Sequence, residues 1–144
     1  MTIKEAEEKI IGEFSYFEDW MDKYNYIIEL GKSLPLIDPQ YKTDEYRIEG
    51  CQSNVWLQAE YRDNRLYFTA DSDAIITKGI INLLIRVLSG QTPQDILAAD
   101  LGYIDAIGLK NHLSPTRSNG LLSMIQQIKR FAIVYQAKSQ QNEG

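Results

Sequence analysis

The run Ile75-Ile76-Thr77-Lys78-Gly79-Ile80-Ile81-Asn82-Leu83-Leu84-Ile85-Arg86-Val87-Leu88 constrains this chain more than any other stretch. Ile76, Ile80, Leu83, Leu84 and Val87 recur at the three- and four-residue spacing of a helix, and Ile81 and Ile85 make the opposite side apolar too. A helix that is hydrophobic all round must be covered on all sides, so this one is the expected buried centre of the fold. Asp71-Ser72-Asp73 just before it reads as its start, with side-chain oxygens free to accept from the first backbone amides and negative charge complementing the helix dipole. A metal site at these aspartates lacks an identifiable third ligand.

Around this helix the sequence places a hairpin and further helices. Ser53 to Arg62 alternates apolar and polar residues, Arg65 to Ala70 can pair with it, and Asp63-Asn64 between them tolerates the positive φ angles of a tight turn. Tyr46-Arg47-Ile48 reads as a further short strand, giving about three antiparallel strands. Upstream, Ile3, Ala6, Ile10, Phe14 and Phe17 set a helical stripe over Ile3 to Trp20. A second helix follows through Trp20, Tyr24, Ile27, Ile28 and Leu30 and closes at Gly31. Downstream, Thr92-Pro93 starts another helix, with the proline at its first position. Short helices separated by Gly102 and Gly108 fill Ile96 to Leu109. Ser114-Pro115 opens a last helix, from about Thr116 to Ala137, with Leu121, Ile125, Ile128, Ala132 and Tyr135 on one stripe. Residues 138–144 read as a polar, frayed tail. The expected architecture is α+β: a single domain over residues 1–144 in which a small antiparallel sheet packs against several helices.

Charge and cysteine usage narrow the function. Fifteen basic against twenty acidic residues leave a net charge of −5, the wrong sign for tracking phosphate backbones, so another protein is a better partner than nucleic acid. No apolar run reaches the length of a bilayer span and no basic leader precedes a cleavage site, which points to a cytoplasmic chain rather than a membrane one. A single cysteine among 144 residues excludes an intrachain disulfide framework and a zinc cluster of several thiolates. That cysteine, Cys51, is also the one sulfur nucleophile available. Gly50 before it suggests a tight turn with open backbone approach, and Gln52 and Ser53 after it are poor neighbours for a core. Cys51 therefore reads as a loop thiol held by a rigid strand edge, while the alternative for any lone cysteine is a small buried hydrophobe. His112 is the only imidazole that could serve it as a base, which keeps open a thiol switch or a small cysteine enzyme. Arg117, near a helix start, sits where the dipole does not favour a cation.

Several stretches together resemble one family. Lys23-Tyr24 through Ile28-Glu29-Leu30-Gly31 with Leu34-Pro35, Gly50-Cys51-Gln52-Ser53 with Val55-Trp56, Asp71-Ser72-Asp73-Ala74 with Lys78-Gly79, Thr92-Pro93, and His112-Leu113-Ser114-Pro115 with Arg117-Ser118 and Gly120-Leu121 occur in the order and at the separations of the SufE family of sulfur-acceptor proteins. The resemblance implies an α+β domain without a cofactor of its own that works beside a pyridoxal-phosphate-dependent cysteine desulfurase in iron–sulfur cluster assembly. It implies that Cys51 accepts sulfane sulfur as a persulfide and passes it to a scaffold complex, and that the protein stimulates the desulfurase rather than acting as an enzyme alone. Gly50, Gln52 and Ser53, with Asp73 and Arg117 at positions matching the neighbourhood of that loop, are the implied supporting residues. The resemblance leaves a rival in which the chain only binds and activates a desulfurase, with Cys51 incidental.

Overall fold

The computed structural model describes the backbone of residues 1–143 and the side chains of residues 1–139. In chain order it runs α1 (Ile3–Phe14), α2 (Trp20–Gly31), two 3-10 turns (Pro39–Tyr41 and Asp44–Tyr46), β1 (Val55–Arg62), β2 (Arg65–Ser72), α3 (Ile75–Leu88), α4 (Pro93–Ala98), α5 (Tyr103–Ala106), α6 (Leu109–His112) and α7 (Pro115–Glu143). The apolar run is the centre: eleven of the residues of α3 are buried, and α1, α2, β2 and α7 all pack on it.

The first two helices meet α3 for reasons written in their side chains. Helix α1 buries Ala6, Ile10 and Phe14 and is opened by a reciprocal cap between Thr2 and Glu5. It ends at Phe14 rather than continuing to Trp20, because Asp19 begins a new helix by accepting from the Met21 amide at 2.8 Å. Gly31 does not close α2 in a left-handed conformation, as the sequence suggests. It lies inside the helix, where a Cβ would approach the Gly79 nitrogen and the Lys78 Cβ, both at 3.0 Å. Opposite, a Cβ on Gly79 would overlap the Ile27 carbonyl. The two glycines therefore let the α2 and α3 backbones cross closely. Asn82, buried in α3, donates to the Leu30 carbonyl at 2.6 Å and so ties α3 to the end of α2.

The hairpin forms as its turn predicts, with Asp63 and Asn64 at φ 53° and 64°. Val55, Leu57 and Ala59 on β1 and Leu66, Phe68 and Ala70 on β2 are buried towards the helices. The sheet has two strands, not about three. The Tyr46-Arg47-Ile48 segment makes only an isolated bridge, with Ile48 donating to the Val55 carbonyl at 2.8 Å. A 3-10 turn up to Tyr46 and the positive φ of Gly50 (91°) bend the chain away on either side of that bridge.

Helices α4 and α7 open on the expected Ser/Thr-Pro pairs: Thr92 accepts from the Asp95 amide and Ser114 from the Arg117 amide. Helix α7 continues past Ala137 to Glu143, where the sequence alone predicts a frayed tail; Gly144 lies outside the described residues.

Candidate functional site: a thiol on a clamped loop

Cys51 sits between two fixed points. Upstream, buried Ile48 is bonded to β1 and Gly50 turns the chain at a φ of 91°, with Ser123 of α7 so near that a Cβ at residue 50 would overlap its hydroxyl. Downstream, Asn54 is gripped from several directions. Asp73 accepts from its amide at 3.1 Å and from its side-chain nitrogen at 2.9 Å, while its carbonyl accepts from the Ser72 hydroxyl at 2.7 Å and the Asp73 amide at 3.3 Å. Residues 51–53 span the gap between these anchors.

This geometry changes the meaning of Asp71-Ser72-Asp73. The residue capping α3 is Ala74, which makes no side-chain cap. Ser72 accepts from the Ala74 amide at 3.2 Å, but Asp73 is spent on the loop. Asp71 is held by Lys42 at 2.9 Å and Lys78 at 3.3 Å. Burial works against its charge, but those two ammonium groups and the Ser72 amide outweigh it and keep the carboxyl below the usual range.

The thiol faces a small cleft of about 60 Å³ whose floor is apolar, with Ile80 from α3 and Met124 from α7. Gln52, Ser53, Thr77 and Thr116 complete its walls, and Arg117 stands exposed at its mouth as the one charged lining residue among those described. Cys51 is half-buried and donates its S–H to the Gly120 carbonyl at 3.6 Å. A Cβ on Gly120 would sit 3.6 Å from Sγ, so glycine there keeps the helix backbone open to the sulfur. Burial pushes the Cys51 thiol above its ordinary pKa, and a carbonyl acceptor likewise favours the neutral form. In this seat the sulfur is a protected thiol rather than a poised thiolate.

The residues expected from sequence therefore divide. Gly50, Gln52, Ser53 and Arg117 are brought to Cys51, and Asp73 acts one step away by holding Asn54. His112 is not among the residues lining the cleft; its ring stacks on Trp20 with centroids 4.2 Å apart. Asn54, Thr77, Gly120 and Met124 went unnoticed as site residues. Gly120 carried a signal, since glycine inside a helix costs about 1 kcal/mol and asks for a local reason. Met124 and Thr77 carried none, being indistinguishable from core positions.

Comparison with known proteins places this geometry in company. A family model described as SufE, Fe-S metabolism associated domain, matches residues 8–132. An uncharacterized SufE-like protein of Rhizobium meliloti is 39% identical over 127 residues, covering 85% of this chain and 91% of that protein. The SufE-like protein 1, chloroplastic/mitochondrial, of Arabidopsis thaliana is 35% identical over 138 residues, which is 95% of this chain but 37% of that longer protein. The solution structure of a hypothetical protein from Thermus thermophilus superposes with a TM-score of 0.72, covering 90% of this chain and 96% of that one at 19% identity, and so shares the fold.

Proposed function

The chain belongs to the SufE family of Fe-S metabolism associated domains, and from that premise we propose that it is a cytoplasmic sulfur carrier whose acceptor is Cys51. The observation that carries the reading is the position of this one thiol, on a short loop between a glycine hinge and the Asn54 anchor, seated over a cleft. The donor is a cysteine desulfurase using pyridoxal phosphate, and the receiver is an iron–sulfur scaffold complex. The chain itself serves as an accessory protein that stimulates the desulfurase.

The transfer follows thiol-exchange chemistry. Cys51, as thiolate, attacks the outer sulfur of the donor's persulfide. A new S–S bond forms to Cys51, the donor's S–S bond breaks, and the donor cysteine leaves as thiolate, so electrons balance without an external oxidant or reductant. Burial disfavours the thiolate in the seat, so movement of the loop out of the cleft favours attack. The residues between Gly50 and Asn54 are the part free to swing, and docking on the partner supplies the occasion. Gly50 provides the hinge, Gln52 and Ser53 travel with the sulfur, and Asp73 fixes the far end.

The rival, a binding module that only activates a desulfurase, is separated by one substitution. Cys51→Ser should abolish the extra turnover that the protein confers on its desulfurase, because the stimulated step needs an acceptor thiol. Full stimulation by the serine protein would overturn the carrier reading.

A further inference from the structure

The outer edge of β1 is left open by the fold. Along an antiparallel pair, residues alternate between bonding across the hairpin and turning their backbone groups outward. On β2 the outward residues are Leu66 and Ala70: Leu66 donates to the Gln91 carbonyl and accepts from the Gly90 amide, and Ala70 donates to Pro35 and accepts from Ile37. Their partners across the hairpin, Tyr61 and Leu57, therefore face the opposite edge, with Ala59 between them. Ile48 takes the Val55 carbonyl at the start of that edge. Beyond it, no backbone group among the described residues bonds the outward groups of Leu57, Ala59 or Tyr61. Leu57 is buried, but Ala59 is 8% exposed, whereas Ala70, the same residue type on the bonded edge, is 0% exposed. Ala59 and Tyr61 thus present two open rungs of a ladder, the geometry that accepts an added strand.

Charge decides what fits there. A second copy bonding antiparallel through Ala59 and Tyr61 sets the two Glu60 side chains directly opposite each other, and like charges so placed repel. Sliding that pairing calls on buried Leu57 or runs off the strand at Asp63. Glu60 lies on the outer face of the sheet, where it lines a groove of about 750 Å³ with Gln58, Thr69 and Asp38. The basic residue of that groove, Lys42, is held by Asp71 at 2.9 Å, leaving Glu60 and Asp38 as its unbalanced charges. The pair between Glu60 and Arg62, at 3.8 Å with both side chains largely exposed, is weak enough to exchange. The inner side of the edge is apolar: Tyr61 stacks on Tyr135 of α7, and Val134 next to it in the chain is exposed.

We propose that the edge of β1 at Ala59–Tyr61 docks an extended segment of a partner protein by strand addition, with a basic residue opposite Glu60 between two apolar ones. Neighbouring residues of a strand point to opposite faces, so the apolar side chains fall on the α7 side and the basic one over the groove. At a rise of about 3.3 Å per residue the edge begins roughly 13 Å along β1 from Val55, so this anchor point is separate from the Cys51 loop. The proposal does not depend on the sulfur-carrier reading.

The test uses nuclear magnetic resonance on the whole protein. In the free protein the amides of Ala59 and Tyr61 should exchange many times faster than those of Leu66 and Ala70; equal protection would overturn the open edge. An acetylated and amidated Thr-Val-Lys-Val-Thr peptide at millimolar concentration should shift the resonances of residues 58–62 and slow exchange at Ala59 and Tyr61. The same peptide with glutamate at its centre should bind several-fold more weakly, and Glu60→Lys, an exposed substitution, should reverse that preference. Ala59→Pro removes an outward amide and no hairpin bond, so it should abolish binding of the lysine peptide. No shift at residues 58–62, or shifts that persist in the Ala59→Pro protein, would overturn the docking edge. Equal binding of the two peptides would overturn the basic residue opposite Glu60. A wild-type dimer in sedimentation that Ala59→Pro converts to monomer would overturn the partner segment in favour of a second copy.

Discussion

At the scale of single residues, the controlling quantity is the ionisation of Cys51. Burial raises its pKa, so the seated protein holds a smaller thiolate fraction at neutral pH than an unfolded chain does. Alkylation by iodoacetamide should accordingly be slower in the native protein than in urea, with its pH midpoint shifted upward. The same shift has a stability consequence. It favours the folded state fully below the pKa of a free thiol, about 8.5, and that contribution is lost as pH rises through the higher folded value. Cys51→Ser should remove this alkaline loss in urea titrations followed by circular dichroism. Asp73 makes a second residue-scale prediction. Asp73→Ala frees both the amide and the side-chain nitrogen of Asn54, and should cost about 1 kcal/mol, as for a hydrogen bond at an exposed position. Amide exchange at residues 51–54 should rise with it; unchanged protection there would remove Asp73 from the clamp. The residues by themselves pointed to Cys51 and Arg117 and read Asp73 as a helix cap, while the family resemblance set Asp73 near the cysteine loop. Both roles use a carboxylate accepting from nearby amides, and only the approach of Asn54, nineteen residues earlier in the chain, separates them.

Among the elements, legibility followed how local the controlling interaction is. The hairpin was readable because Asp63 and Asn64 themselves supply its positive φ angles, and α3 because its composition alone demands burial. The third strand failed because pairing at Ile48 depends on a chain path set by Gly50 and α7. Gly31 was misread because its reason lies on another helix. That crossing predicts that Gly79→Ala is severe: the new methyl meets the Ile27 backbone, which cannot swing aside, so the cost should reach the upper end of the roughly 1–3 kcal/mol typical of overpacking. A denaturant midpoint equal to wild type would contradict the close crossing. Helix α1 is tied to α3 by Glu13, whose carboxylate takes both guanidinium nitrogens of Arg86, at 2.9 and 2.5 Å, and the Tyr26 hydroxyl. Arg86 above all holds the Glu13 pKa below the ordinary value. Its contribution is therefore present above the unfolded carboxylate pKa, about 4.3, and disappears as pH falls through the lower folded value. Glu13→Gln should lower stability at neutral pH by about 2 kcal/mol, the scale of a charged hydrogen bond, and shrink the difference from wild type in acid.

For the molecule as a whole, one apolar helix gathers the other elements, and the thiol loop lies where the starts of α3 and α7 meet the hairpin. The family was legible because its motifs are spread over most of the chain; the cleft was not, since its walls come from segments far apart in sequence. The most direct measurement is intact mass spectrometry after incubation with a cysteine desulfurase and free cysteine. The expected result is a gain of one sulfur atom, mapped to Cys51, removed by reductant and missing from Cys51→Ser. An unchanged mass, with Cys51 still open to alkylation and the desulfurase turning over, would contradict the carrier role.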